Sequence, residues 1–227
     1  MYLENPKKFG MLVEQAHQVA LNVLRPISRK YDKAEHAYPK ELDMLASLLD
    51  GMNEGAPGSA GATSATGGSS NSNAGEVKNG SNMSTALGIM EMCWGDVGLL
   101  LAMPRQGLGN AAIAAVANDE QLERFKGTWA AMAITEPNCG SDSAAIRTTA
   151  VKDGDDYILN GEKIYVTSGA RADSVVVWAT LDKNIGRAAI KSFVVKHGTP
   201  GMEIARLEKK LGIKASDTAA INFTDCR

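Results

Sequence analysis

The sequence predicts an α+β protein, with an N-terminal all-α domain over 1–127 followed by a mostly antiparallel β-barrel or sheet domain over 128–227. Two patterns carry that expectation. Before residue 127 the apolar residues recur at helical spacing; after Trp129, short β-branched runs follow one another with no helix between them. Strand after strand argues for antiparallel pairing in place of alternating βαβ units. At 227 residues and 44% hydrophobic content, the chain is long enough to bury a real core.

Asn5 and Pro6 have the form of a helix N-cap and first-turn proline, and Phe9, Leu12, Val13, Ala16, Val19, Ala20, Val23, Leu24 and Ile27 follow on one face. Pro26 lies inside this pattern without an amide hydrogen to donate, so it is expected to kink the helix or end it locally. A second helix is expected over 40–49. From Gly51 to Asn82 the chain is Gly, Ala, Ser, Thr and Asn apart from Met52, Glu54, Pro57, Glu76, Val77 and Lys78. Such a segment buries too little apolar area to offset roughly 1–2 kcal/mol per residue of backbone ordering. It is therefore expected to be a mobile insertion within the helical domain. Helical character returns with Met83, Leu87, Met90, Trp94 and Val97, of which the methionines and the tryptophan read as core packing, and again over 110–125, where Asp119 is expected to cap a short helix.

The expected strands run from Ala130 to Thr135, Arg147 to Lys152, Tyr157 to Val166, Ser174 to Thr180, Lys191 to Lys196 and Ala219 to Phe223. Asp153-Gly154-Asp155 marks a turn between the second and third.

Lysine and arginine total 24 against 26 acidic residues, which gives no electrostatic reason to expect nucleic acid or an anionic membrane. No run approaches the ~18 apolar residues of a membrane span, and the first nine residues lack a signal-peptide core, so a cytoplasmic location is expected. Cys93, Cys139 and Cys226, with His17, His36 and His197, are scattered. Neither a disulfide framework nor a metal site is expected from them.

Two stretches carry possible chemistry. In Ala133-Ile134-Thr135-Glu136-Pro137-Asn138-Cys139-Gly140-Ser141-Asp142 an apolar strand ends in a polar turn. Pro137 stiffens that turn, Gly140 permits close backbone approach, and the hydroxyls of Thr135 and Ser141 suit an anion or a polar cofactor edge. In Asn160-Gly161-Glu162-Lys163-Ile164-Tyr165-Val166-Thr167-Ser168-Gly169 an Asn-Gly turn is expected to lead into a strand. Alternation puts Tyr165 and Thr167 on one face, an aromatic body beside a hydroxyl. On the residues alone, an ordinary turn and an ordinary strand remain the commoner explanations. Glu136 and Glu162 read as charges on a solvated face, and Cys139 as a small residue filling the turn.

Together the stretches resemble the acyl-CoA dehydrogenase family, whose middle domain carries T-E-P-x-x-G-S-D followed by N-G-x-K-x-aromatic-aliphatic-T-[S/N]-G. The resemblance extends from about Met83 to Arg227 and includes Thr199-Pro200-Gly201, Lys210-Leu211-Gly212 and Ser216-Asp217-Thr218. It implies FAD as cofactor, with Met132, Ile134, Thr135, Gly140, Ser141, Tyr165, Val166 and Thr167 around the flavin and Ser141 also near the pantetheine arm of an acyl-CoA. Met132 stands where many members carry an aromatic, Asn138-Cys139 replaces a common Gly-Ala pair, and Tyr165 replaces a frequent tryptophan.

The implied reaction is α,β-dehydrogenation of an acyl-CoA to a trans-2-enoyl-CoA, with electrons passing on to an electron-transfer flavoprotein or a similar acceptor. The family's catalytic glutamate usually belongs to a C-terminal four-helix domain, and the chain is expected to end before it, so no catalytic residue is assigned. A homo- or hetero-oligomer is expected by the same resemblance. A non-catalytic partner subunit binding FAD or a CoA ester, and an acyl-CoA oxidase or flavin monooxygenase of the same fold, remain alternatives.

Overall fold

The computed structural model describes residues 7–53, 81–104 and 108–227. Most of the Gly/Ser/Ala-rich segment expected to be mobile lies outside the described residues. The chain forms two compact units, one holding the helices up to Met103 together with Lys210–Ala215, the other holding Pro104–Lys209 and Ser216–Arg227.

In the helical unit, α1 (Gly10–Val19) passes through a π-helical turn, Ala20–Leu24, into α2 (Arg25–Lys33). The Arg25 amide donates five residues back to the Ala20 carbonyl. Pro26 has no amide to donate, so the wider turn absorbs the interruption and the chain stays helical through it. α3 covers Glu41–Asn53 and α4 covers Ser81–Ala102, broken at Asp96, whose backbone is extended at φ −171°. The Asp96 carboxylate accepts the Leu99 amide at 2.8 Å and so caps the helical turn that restarts there. Gly95, next to the break, is packed so closely on the π turn that a Cβ would lie 2.9 Å from the Ala20 Cβ.

The core of this unit is Leu24, Tyr31, Leu42, Leu45, Leu99, Ala102 and Met103, joined by Ala215. Burying each leucine stabilises by about 1.5–3 kcal/mol. Met83, Met90 and Trp94, expected in the core, are instead about half exposed. The buried stripe of α4 runs along a different face, through Met92 and Leu99. The Trp94 ring lies 4.8 Å from the His17 ring and 5.2 Å from the Arg25 guanidinium, and His17 Nδ1 is 2.8 Å from the Glu91 carboxylate. Met83–Ala102 is also, by length and composition alone, apolar enough to span a membrane. Glu91 and Asp96 interrupt it, so it is not a run of consecutive apolar residues.

Glu41, at the start of α3, accepts from Lys30 at 2.6 Å and from the Tyr31 hydroxyl. These two donors lower its carboxyl to about pKa 2. A carboxyl depressed in the folded state contributes stability that is complete above its unfolded value and is lost as protons bind on acidification. The urea midpoint should therefore fall as pH drops from about 4.5 toward 2, and Glu41→Gln should flatten part of that fall. An unchanged acid limb in the variant would remove the assignment.

The second unit opens with α5 (Leu108–Val116) and α6 (Asp119–Arg124). These helices belong with the sheet, so the division of the chain falls after Met103 and not at 127/128. The reason is direct packing: Ile113 joins Ala130 and Val176 in one apolar cluster, with Leu122 and Phe125 against it. Asn118, not Asp119, caps α6, its side chain accepting the Gln121 amide while the Gln121 side chain accepts the Asn118 amide.

The strands are β1 (Ala130–Ala133), β2 (Thr149–Asp153), β3 (Asp156–Thr167), β4 (Ser174–Thr180), β5 (Ile190–Lys196), β6 (Met202–Leu207) and β7 (Thr218–Cys226). β6 was not foreseen; its sequence MEIARL has a single β-branched residue, and it is fixed by pairing with β7. β5 lies antiparallel along the whole of one edge of β4. On the other edge β1 pairs in parallel with Ser174–Val177, and β2 takes over at Thr180. The order then continues β2-β3-β7-β6, all antiparallel. The sheet is thus mixed but mostly antiparallel, curled around Trp129, Leu159, Val166, Val175, Val177, Ile221 and Phe223. Gly154, with φ +63°, opens the two-residue loop between β2 and β3.

Candidate functional site

The two motif stretches are brought together. The Ile164 amide donates to the Thr135 carbonyl at 2.9 Å, so the end of β1 lies beside the second half of β3. The first stretch leaves β1 and folds into a tight turn in which Glu136 and Cys139 exchange both backbone hydrogen bonds across Pro137-Asn138. Gly140 and Ser141 follow directly and are exposed, and a Cβ added at Gly140 would meet nothing within 4 Å. Thr135 and Ile134 are half-buried, and Met132 is half-buried on β1 opposite Val176.

The expected Asn160-Gly161 turn is not one. β3 runs straight through these residues with a register shift between Leu159 and Gly161, a bulge rather than a reversal. Gly161 has φ +153°, and a Cβ there would lie 2.5 Å from the Thr148 hydroxyl oxygen. A second shift, between Lys163 and Val166, places Tyr165 at φ +58°, and the residue is 63% exposed. A left-handed aromatic residue costs about 1–3 kcal/mol and persists only where its surroundings impose it. Thr167 is exposed as well. Val166 between them is buried in the sheet core and presents no side chain to a ligand.

Glu136 is not on a solvated face. It is 6% exposed, and its Oε1 accepts from Lys163 Nζ at 2.8 Å, the Thr148 hydroxyl at 2.6 Å and the Thr148 amide at 2.9 Å, while Oε2 accepts the Arg147 amide at 2.7 Å. Burial alone would raise its pKa; the donors overcome this and hold the carboxyl below its ordinary value. Lys163, with no exposed side-chain area, also donates to the Ile134 carbonyl at 3.0 Å. Burial pushes its ammonium below the ordinary lysine value, against the opposing pull of Glu136. Cys139 is buried in the turn, and burial together with the Glu136 carboxylate pushes its thiol pKa up, which makes it a poor nucleophile. Glu162 is half-buried opposite Asn222.

Ile134 also lines an open cleft of about 670 Å³ whose other walls include Val116, Ser143, Ala144, Trp178, Arg187 and Lys191. None of the other expected site residues lies in its lining. Sequence reasoning missed these walls because they come from the end of α5, the 3₁₀ turn after Ser141-Asp142 and the β4–β5 pair, which only register brings together. Lys191 Nζ bonds the Ala188 carbonyl at 2.9 Å. With Arg187 it gives the cleft a basic side.

Residues 131–226 match the family model for the middle domain of acyl-CoA dehydrogenases. Over 95 residues, 42% of this chain, it is 44% identical to the short-chain-specific acyl-CoA dehydrogenase of Clostridium acetobutylicum, matching 25% of that protein. Over 103 residues, 44% of this chain, it is 42% identical to the acryloyl-CoA reductase (NADH) of Anaerotignum propionicum, matching 26% of that protein. The whole chain superposes on 58% of butyryl-CoA dehydrogenase from Megasphaera elsdenii, with a TM-score of 0.78 and 28% identity. The chain thus spans little more than half the length of that solved relative and about a quarter of these two curated relatives, and its likeness to the acyl-CoA dehydrogenase family is carried by the middle-domain match over residues 131–226.

Proposed function

We propose that this chain supplies the flavin- and thioester-contacting portion of an FAD-dependent enzyme that removes two hydrogens from the α,β-bond of an acyl-CoA, giving the trans-2-enoyl-CoA. The observation that carries this reading is the junction of the two motifs at the Ile164–Thr135 hydrogen bond. It sets the Thr135 hydroxyl and the half-buried Ile134 beside the strand that displays Tyr165 and Thr167. A flat aromatic, an aliphatic surface and two hydroxyls on adjoining strands suit a planar heterocycle with a polar edge, and the open space over Gly140 leaves room for it.

FAD, when bound, would accept the β-hydride. Thr135 and Thr167 would donate to its polar edge, Tyr165 and Ile134 would cover ring surface, and Met132 would contribute apolar contact from β1. Donors fixed in advance at the edge where charge develops favour the reduced cofactor. Ser141 would hold both the cofactor edge and the thioester arm, and Arg187 with Lys191 would attract the anionic phosphates of CoA. Electrons would then leave to an electron-transfer flavoprotein or a similar acceptor. The similarity to an acryloyl-CoA reductase favours a second reading, in which the same bond is reduced instead of oxidised.

The test is FAD titration followed by quenching of flavin fluorescence. Thr135→Ala and Ser141→Ala should each weaken FAD binding about 2–10-fold, the worth of one hydrogen bond. Binding that matches the parent in both variants would defeat the site.

A further inference from the structure

Three residues that the two motifs share with no ligand-facing role meet inside the sheet: Glu136 from the first, Gly161 and Lys163 from the second. Thr148 completes the group. One carboxylate gathers the Lys163 ammonium, the Thr148 hydroxyl and two backbone amides, and the same ammonium holds the Ile134 carbonyl. The Thr148 hydroxyl can reach Glu136 only because residue 161 has no side chain, since a Cβ would lie 2.5 Å from that oxygen.

Stability alone is a poor account of this arrangement. The cost of desolvating two charges largely offsets their attraction, and a well-packed apolar pair would serve as well or better. What an ion pair with several fixed donors adds, and an apolar pair does not, is one defined geometry. Here that geometry couples the base of the Glu136–Cys139 turn, which leads into Gly140 and Ser141, to the point on β3 just before the bulge that displays Tyr165.

We propose that Glu136 and Lys163, with Thr148 seated against Gly161, are positioning residues: a buried clamp that fixes the Gly140-Ser141 turn in register with Tyr165 and Thr167. In its effect on ligands the proposal rests on the flavin reading above; the clamp itself does not.

The experiment compares Glu136→Gln, Lys163→Met, the double variant and Thr148→Val with the parent 227-residue chain. Amide hydrogen exchange is followed over 136–142 and 164–169, with 218–226 as an internal reference, alongside FAD titration. Each single charge variant should speed exchange in both motif segments at least tenfold while the reference segment stays within about twofold, and should weaken FAD binding about tenfold. The double variant, which leaves no buried charge unpaired, should recover stability, as read by its urea midpoint, but not the slow exchange of the motif segments. A purely structural pair predicts the reverse, with exchange rising in all three segments together and returning to parental rates in the double variant. Thr148→Val, which keeps the shape and removes one donor, should fold and give a smaller change of the same pattern, so it decides the matter if a charge variant fails to fold. Exchange confined to neither motif segment, or shared equally with 218–226, overturns the clamp. A parent chain that takes up no FAD sinks the flavin reading while leaving the exchange result to judge the clamp.

Discussion

Gly109→Val is expected to destabilise the sheet unit by at least about 4 kcal/mol, in the far tail of point substitutions. A Cβ at this position would sit 2.3 Å from the Ala131 carbonyl oxygen and 2.5 Å from that of Ala130. Both atoms belong to the backbone of β1 and cannot turn aside as a side-chain tip would. α5 would have to lift from the strand, and with it the apolar contacts of Ile113 with Ala130 and Val176. The anchoring of Asn110 would fail too: its buried side chain donates to the Thr128 carbonyl at 2.6 Å and accepts the Ala130 amide at 2.8 Å. In urea the loss corresponds to a midpoint lower by roughly 2 M, given slopes of about 1–3 kcal/mol per M for small domains. Gly140→Ala, where added atoms meet nothing, should stay within about 0.5 kcal/mol. A Gly109→Val midpoint equal to that of Gly140→Ala would show that α5 does not pack on β1 as described.

The contrast between these glycines shows where the sequence was legible. The work of Gly109 is a close approach between a helix and a strand, which no local pattern in the sequence marks. Periodicity reports which face of an element is apolar, not what presses on it. The helical first half and the strand-rich second half were legible for that reason, since each depends on local repeats of Leu24-type or Val175-type residues. α5 and α6 were assigned to the wrong unit because an amphipathic stripe packs equally well on helices or on a sheet, and β6 was missed because its strand character comes from β7.

Within the candidate site, the surface residues were easier to find than their supports. Tyr165 and Thr167 are both exposed, but Tyr165 is displayed by the bulge at Lys163–Val166, which leaves no mark in a period-two pattern. Val166 took a buried place by the same geometry. Glu136 was the larger misjudgement. A glutamate in a Pro/Gly turn is usually solvated, and only the distant placing of Lys163 and Thr148 turns it into a buried hub. The one available signal was the co-occurrence of a Glu in one motif and a Lys in the other, opposite charges on stretches that a sheet could bring into contact.

Asp217→Ala should be the second large effect, about 3–5 kcal/mol, because it breaks a buried charged contact. Asp217 is 1% exposed. Its Oδ2 accepts the Ala170 amide at 2.9 Å, its Oδ1 lies 3.4 Å from Arg171 Nε, and its backbone carbonyl accepts the Ser168 amide at 3.1 Å. Ser168 has φ +60°, so the turn that follows Thr167 is held in an uncommon conformation from the start of β7. Truncation removes both side-chain contacts and should free the Ser168–Ala172 turn, raising its amide exchange above that of the neighbouring strands. Asp217→Asn keeps an oxygen for the Ala170 amide and loses only the charge facing Arg171, so a smaller loss of about 1–3 kcal/mol is expected. The ordering of the two variants is the discriminating result. If Asn is as damaging as Ala, the charge toward Arg171 holds the turn; if Asn is near neutral, the hydrogen bond to Ala170 does; and if both are near neutral, the turn after Thr167 keeps its left-handed residue without help from Asp217.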